Sequence, residues 1–178
     1  MSIVVVALGD SITAGSPWDD DPSIGWPVAA AVADPRLRFT VRAAYGMRTD
    51  EIAAWLEDAA AGADVLVVQG GINDIAQGRQ VAAAAANLSA MIRRGQELQL
   101  RVAVANVLPW NNGWPPAEAP IRELNALIEA MGAPVLPFHE TLEDAERPGR
   151  MREDWTSDGD HPSVEGYRLL GELAFRLP

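Results

Sequence analysis

The chain has 178 residues, of which 48% are hydrophobic and 22% charged, with a formal net charge of -11; this profile suits one soluble globular domain spanning residues 1–178 and excludes a disordered chain. The acidity leaves no electrostatic footprint for nucleic acid or an anionic membrane. Cysteine and lysine are absent, all 14 basic residues being arginine, and only two histidines are present, which removes disulfides, thiol catalysis, Schiff-base and Ser-Lys chemistry and makes a multi-histidine metal site unexpected.

The first segment, Ile3 to Leu8, is a continuous apolar, β-branched run ending at Gly9, the pattern of a buried parallel strand. It has no basic flank and is too short for a signal sequence. No stretch reaches the ~20 apolar residues of a membrane span, so a cytoplasmic protein without a membrane partner is expected. Val28 to Ala33 reads as a helix after Pro27, and Arg38 to Ala43 as a weaker strand. Thr49 to Ala60 puts Ile52, Trp55, Leu56 and Ala59 on one helical face, with Thr49 as N-cap. Ala63 to Val68 is a strand ending at Gly70-Gly71, and Gln80 to Leu98 a long alanine-rich helix. Arg101 to Leu108 is a strand, Ala119 to Met131 a helix, Pro134 to Leu136 a short strand, and Ser163 to Arg176 a closing helix with Ser163 as N-cap. Alternating strands and helices imply a parallel sheet covered on both faces, with any ligand held beyond the carboxyl ends of the strands.

Those ends carry the residues able to do chemistry. In Gly9-Asp10-Ser11 a hydroxyl follows a buried strand directly, at the rim of the sheet. A serine nucleophile needs a base, and His161 lies in Asp158-Gly159-Asp160-His161-Pro162 just before the last helix. Asp158, three residues earlier, can fold back to hold the imidazole Nδ1 proton; Asp160 is the rival for that task. An oxyanion needs donors, and Asn73 and Gly46, each after a strand end, are candidates through a side-chain amide and a backbone N–H. Asp10 and Asp74 read as loop braces. His139 reads as a surface or loop-packing histidine, and Asp19-Asp20-Asp21 as a solvated acidic loop. Of six tryptophans, Trp110 and Trp114 follow the strand Arg101 to Leu108 and are candidates to line a substrate pocket.

Gly9-Asp10-Ser11, Gly46, Gly71-Ile72-Asn73-Asp74 and Asp158-Gly159-Asp160-His161-Pro162 occur in the order of the four blocks of the GDSL, or SGNH, hydrolases, and the chain resembles that family from residue 3 to about 170. The resemblance implies a flavodoxin-like three-layer α/β/α sandwich with a five-stranded parallel sheet. It also implies ester hydrolysis through an acyl-enzyme, without metal or organic cofactor. Carried over by position, Ser11 is nucleophile and oxyanion donor, Gly46 and Asn73 are further donors, and Asp158 and His161 complete a triad. The second block departs from the family: Arg42-Ala43-Ala44-Tyr45-Gly46 lacks the asparagine that many members carry ahead of the glycine.

The expected substrate is a small-molecule carboxylic ester with a short, acetyl-type acyl group. Carbohydrate O-deacetylase, thioesterase and lysophospholipase activities are variants within the same family. A non-catalytic α/β module that binds a small ligand is the alternative of another class. A homo-oligomer is compatible with the sequence but has no residue evidence behind it.

Overall fold

The computed structural model describes residues 1–15 and 24–178, so Trp18 and Asp19-Asp20-Asp21 lie outside the described residues. Five strands, β1 (Ile3–Gly9), β2 (Leu37–Ala43), β3 (Val65–Val68), β4 (Arg101–Ala105) and β5 (Val135–Leu136), form one all-parallel sheet in the order β2-β1-β3-β4-β5. This is the flavodoxin-like order, reversing direction beside β1, where ligands of such sheets bind.

Alternation along each strand divides the side chains between two cores. Val5, Ala7, Val65, Val67, Ala103 and Ala105 face one side, where they meet Trp26, Phe138, Tyr167 and Leu170. Val6, Leu8, Leu66, Val68, Val102 and Val104 face the other, against Ile52, Leu88, Met91, Ile121 and Leu124. A strand buried on both faces must be apolar throughout, which is why β1 and β3 show no polar alternation. Each such Val or Leu, taken fully out of water, stabilises the fold by ~1.5–3 kcal/mol.

The first core is roofed by α2 (Trp26–Ala33) and by α9 (Val164–Leu169), which runs on as a wider π turn over Leu170–Ala174. Trp26 is its largest fully buried side chain, with the rings of Phe39, Phe138 and Phe175 at centroid distances of 5.5 to 5.7 Å. The second core is roofed by α3 (Thr49–Ala53), α4 (Leu56–Ala59), α6 (Val81–Glu97) and α7 (Glu118–Glu129). Short helices α1 (Ser11–Ala14), α5 (Ile72–Ala76) and α8 (Phe138–Leu142) directly follow or adjoin strands β1, β3 and β5. None of these three was expected from periodicity, because a stretch of four or five residues carries too little of it.

Two expected elements differ in detail. The helix expected over Thr49 to Ala60 is two short helices, because Trp55 N–H bonds the Ile52 carbonyl (3.1 Å) and tightens the turn between them. Arg48, not Thr49, is the N-cap. Thr49 is drawn into the first turn by Asp74, whose carboxylate accepts both its N–H (2.9 Å) and its hydroxyl (2.8 Å). The strand expected over Arg101 to Leu108 ends at Ala105, since only Val104 and Ala105 have partners on the two-residue β5. Ser163 does cap the last helix, accepting from Gly166 N–H at 3.2 Å. Among the described residues, no helix is long and apolar enough to cross a membrane.

Candidate active site

Parallel register brings Gly9 level with Ala43 and Leu8 level with Val68, so the loops after β1, β2 and β3 leave the same edge of the sheet. The first of these loops is the sharpest. Gly9 ends the strand, Asp10 caps α1 by accepting Ile12 N–H on Oδ1 (2.9 Å), and Ser11 is the first helical residue. Only glycine fits position 9: a Cβ there would lie 2.6 Å from Gln69 Oε1 and 2.7 Å from Thr13 Oγ1. Gln69 Oε1 accepts from the Thr13 hydroxyl (2.8 Å) and Asp10 N–H (3.3 Å), and Trp26 Nε1 donates to Thr13 Oγ1 (3.2 Å). The serine turn is thus fastened from below by two buried side chains from outside it, Gln69 after β3 and Trp26 on α2, which meet at Thr13.

The opposite wall is the loop from Thr156 to Pro162, pinched by a bridge between these two residues. Within it the Asp158 carboxylate organises the backbone: Oδ1 accepts the N–H groups of Asp160 (2.8 Å) and His161 (2.7 Å). Its Oδ2 lies 2.8 Å from His161 Nδ1. A carboxylate can only accept, so Nδ1 carries the proton and Nε2 is left as an acceptor. That Nε2 lies 3.0 Å from Ser11 Oγ. An unbroken hydrogen-bonded line therefore runs Asp158–His161–Ser11 across 150 residues of sequence. His161 and Asp158 side chains are 19% and 20% exposed, so the line is reached by solvent yet held by protein.

The rival aspartate is turned elsewhere. Asp160 Oδ1 accepts the indole N–H of Trp110 at 2.5 Å and the Asn112 amide at 2.8 Å. The structure brings Trp110 to the site and not Trp114. Trp110 lines a narrow pocket with Ile12, Ile72, Val107, Leu108 and Pro109, whose residues 12 and 72 adjoin Ser11 and Asn73. Trp114 is exposed, with the Arg150 guanidinium over its ring.

Gly71, in the left-handed region at φ 116°, swings the chain from β3 into α5, and Asn73 follows. One N–H of the Asn73 amide holds the Met47 carbonyl (3.0 Å), which ties the β3 loop to the β2 loop. Its second N–H has no partner among the described residues. Gly46 (φ 74°) is exposed, and its carbonyl accepts from Gln77 Nε2 at 3.0 Å. Its N–H is likewise unclaimed among the described residues.

Four nearby residues carry no motif signal. Tyr45 stands edge-on to the His161 ring with centroids 6.4 Å apart, and its hydroxyl donates to the Gly15 carbonyl (3.2 Å). Tyr167, held fully neutral by burial, donates to the Ser11 carbonyl (3.5 Å). Gln69 and Thr13 make the network under the serine. Only the position of Gln69 directly after a buried strand, where an unpaired amide is costly, hints at its task.

Burial dominates the electrostatics here. Asp10 is fully enclosed, and desolvation pushes its carboxyl up to about 6, against the pull of the Ile12 N–H, the Gln69 side chain and His161. Its Oδ2 has no hydrogen-bond partner among the described residues. The second histidine is remote in purpose: His139 is buried beneath the loop after β4, its Nδ1 donating to the Val107 carbonyl (2.8 Å), so it packs the loop and is not on the surface. Among the described residues, no group of three or more His, Asp or Glu side chains is placed to hold a metal ion.

Comparison with known proteins gives the same outline. The chain shares its fold with a member of the lipolytic G-D-S-L family from Veillonella parvula (TM-score 0.83, 22% identity, covering 96% of this chain and 94% of that one). It also resembles a GDSL-like lipase from Bacteroides thetaiotaomicron (TM-score 0.77, 20% identity, covering 96% and 84%). A lipase/acylhydrolase from Enterococcus faecalis is 26% identical at a TM-score of 0.74, covering 95% and 91%. A search of curated proteins found no match. The family model for the GDSL-like Lipase/Acylhydrolase family matches residues 7–169, and the chain therefore belongs to that family of ester hydrolases.

Proposed function

We propose that residues 1–178 act as one catalytic domain that hydrolyses carboxylic esters through an acyl-serine, with Ser11 as nucleophile, His161 as general base and Asp158 as its orienter. The observation that carries this reading is the hydrogen-bonded line from Asp158 Oδ2 to His161 Nδ1 and from His161 Nε2 to Ser11 Oγ, at 2.8 and 3.0 Å. As Ser11 Oγ attacks the ester carbonyl carbon, its proton passes to His161 Nε2, and the imidazolium is stabilised by Asp158. The tetrahedral oxyanion is met by the Ser11 N–H, the unclaimed Asn73 N–H and the Gly46 N–H, each such donor supplying ~3 kcal/mol. His161 then gives its proton to the departing alkoxide, leaving the acyl group on Ser11. Water, deprotonated by the same Nε2, attacks the acyl carbon. The proton returns to Ser11 Oγ, and the acid leaves.

We assign the acyl group to the narrow cleft of Ile12, Ile72, Val107, Leu108 and Trp110, which the polar Gln69, Asn106 and Asp160 also line and whose free volume of about 10 Å³ favours the shortest acyl chains. Support for an enzyme over a non-catalytic binding module comes from the imidazole tautomer: a binding site has no need of an acceptor nitrogen aimed at a serine hydroxyl. The test is hydrolysis of p-nitrophenyl acetate by the wild type and Ser11→Ala. Turnover by the wild type and none by the variant is expected; full activity in Ser11→Ala removes the proposed nucleophile.

A further inference from the structure

The aspartate between Asp158 and His161 in sequence plays no part in the proton path, yet its side chain makes a short contact across to another loop. Asp160 Oδ1 accepts Trp110 Nε1–H at 2.5 Å and Asn112 Nδ2–H at 2.8 Å. The same Asn112 amide reaches the Asp158 carbonyl (2.9 Å), and the Gly159 carbonyl accepts the N–H groups of Asn111 (3.0 Å) and Asn112 (3.4 Å). The loop after β4 and the histidine loop are therefore stitched together, with the indole N–H at the centre.

Trp110 has little freedom to leave. Gly113 lies on its ring so closely that a Cβ at 113 would sit 2.1 Å from Cε3. One edge of the indole is held by a carboxylate, one face is covered by backbone, and the remaining surface forms a wall of the pocket beside Ile12 and Ile72. An indole without its carboxylate partner would keep its apolar contacts but lose the charge-assisted bond that fixes its angle. Trp110 and Asp160 both line the cleft, so the bond between them sits in its wall.

We propose that Asp160 is a positioning residue for substrate selection: by latching Trp110 it holds the acyl pocket short, so that acetyl-type esters are accepted and longer acyl chains are turned away. This rests on the ester-hydrolase reading and on the assignment of that pocket to the acyl group. The latch acts on selectivity and not on proton transfer, because the Asp160 backbone N–H bonded to Asp158 survives any side-chain change.

The experiment compares kcat and KM for p-nitrophenyl acetate and p-nitrophenyl hexanoate in the wild type, Asp160→Ala, Asp160→Asn, Trp110→Phe and the double variant Asp160→Ala/Trp110→Phe. Trp110→Phe keeps an aromatic ring and removes only the indole donor and some bulk. The hexanoate-to-acetate ratio of kcat/KM is expected to rise about tenfold in Asp160→Ala and in Trp110→Phe, the low end of the discrimination a pocket gives for a single methylene, hexanoate carrying four more than acetate. The gain should enter through KM for hexanoate. Asp160→Asn keeps an acceptor for the indole and should stay within about twofold of wild type. The double variant should equal Trp110→Phe, because with the indole donor gone Asp160 has no latch left to lose. An unchanged ratio in Asp160→Ala or Trp110→Phe, or additive effects in the double variant, overturns the latch while the wild type still hydrolyses acetate. If Asp160→Ala fails to fold, Asp160→Ser, whose hydroxyl is too short to reach the indole N–H, takes its place in the same comparison and must raise the ratio likewise. A wild type that hydrolyses neither ester overturns the hydrolase reading, and the latch with it.

Discussion

Asp10 offers a prediction in which the electrostatics of the site can be weighed. Its carboxyl is fully buried, caps the serine turn through Oδ1, and leaves Oδ2 without a partner among the described residues. Desolvation raises its pKa from 3.8 to about 6 in the folded protein, while the unfolded chain keeps the ordinary value. Between these two values the folded state binds a proton that the unfolded state has released. Stability from this group is thus fully present below pH 3.8 and is lost as pH rises through about 6. The gap is about two pH units, and at ~1.4 kcal/mol per unit the loss is about 3 kcal/mol. Asp10→Asn keeps the capping oxygen and does not titrate. Its new amide N–H groups add a constant penalty of ~1–3 kcal/mol if left unpaired, but that offset is the same at every pH. Urea unfolding of wild type and variant from pH 3.5 to 8 should therefore show the variant gaining about 3 kcal/mol on the wild type across the range, with most of the change between pH 4 and 6. A difference independent of pH, or one that runs the other way, would refute the argument from desolvation.

Other substitutions follow from the same geometry. Asp158→Asn presents an amide to His161 Nδ1, disfavours the tautomer with Nε2 as acceptor, and should lower kcat for p-nitrophenyl acetate by ~10³–10⁴ with the fold intact by circular dichroism. Asn73→Ala removes one oxyanion donor, and steady-state kinetics should show kcat falling ~10²–10³ with little change in KM. Gly9→Ala forces a methyl into Gln69 Oε1 and Thr13 Oγ1, at 2.6 and 2.7 Å, and thermal unfolding should report a loss of ~1–3 kcal/mol.

Much of this site was legible before any coordinates because its parts are local. Ser11 follows a strand that reads as buried, and Asp158 and His161 are three residues apart, a spacing that one loop turn can close with the 2.8 Å bond between them. The sheet was equally legible, since strands buried on both faces carry an apolar run that periodicity detects. What sequence could not reveal depends on meetings across the chain. Whether Asp158 or Asp160 faces the imidazole is settled by Trp110 and Asn112, fifty and forty-eight residues away, which claim Asp160. The fastening of the serine turn by Gln69 and Trp26 through Thr13 joins segments far apart in the chain and leaves no spacing to read. Thr49 looked like a cap because threonine before an apolar helical face usually is one. Asp74, from the first turn of α5, instead draws it into the helix.

The claim on which the account stands is that Ser11 is the group that becomes acylated. Incubation with a fluorophosphonate followed by intact-mass and peptide-mapping spectrometry measures it directly. A single adduct per chain is expected, on the peptide containing Gly9-Asp10-Ser11 and assigned to Ser11, abolished in Ser11→Ala and suppressed when ester substrate is present. An adduct on another residue, or no adduct on a protein that still hydrolyses p-nitrophenyl acetate, would contradict it.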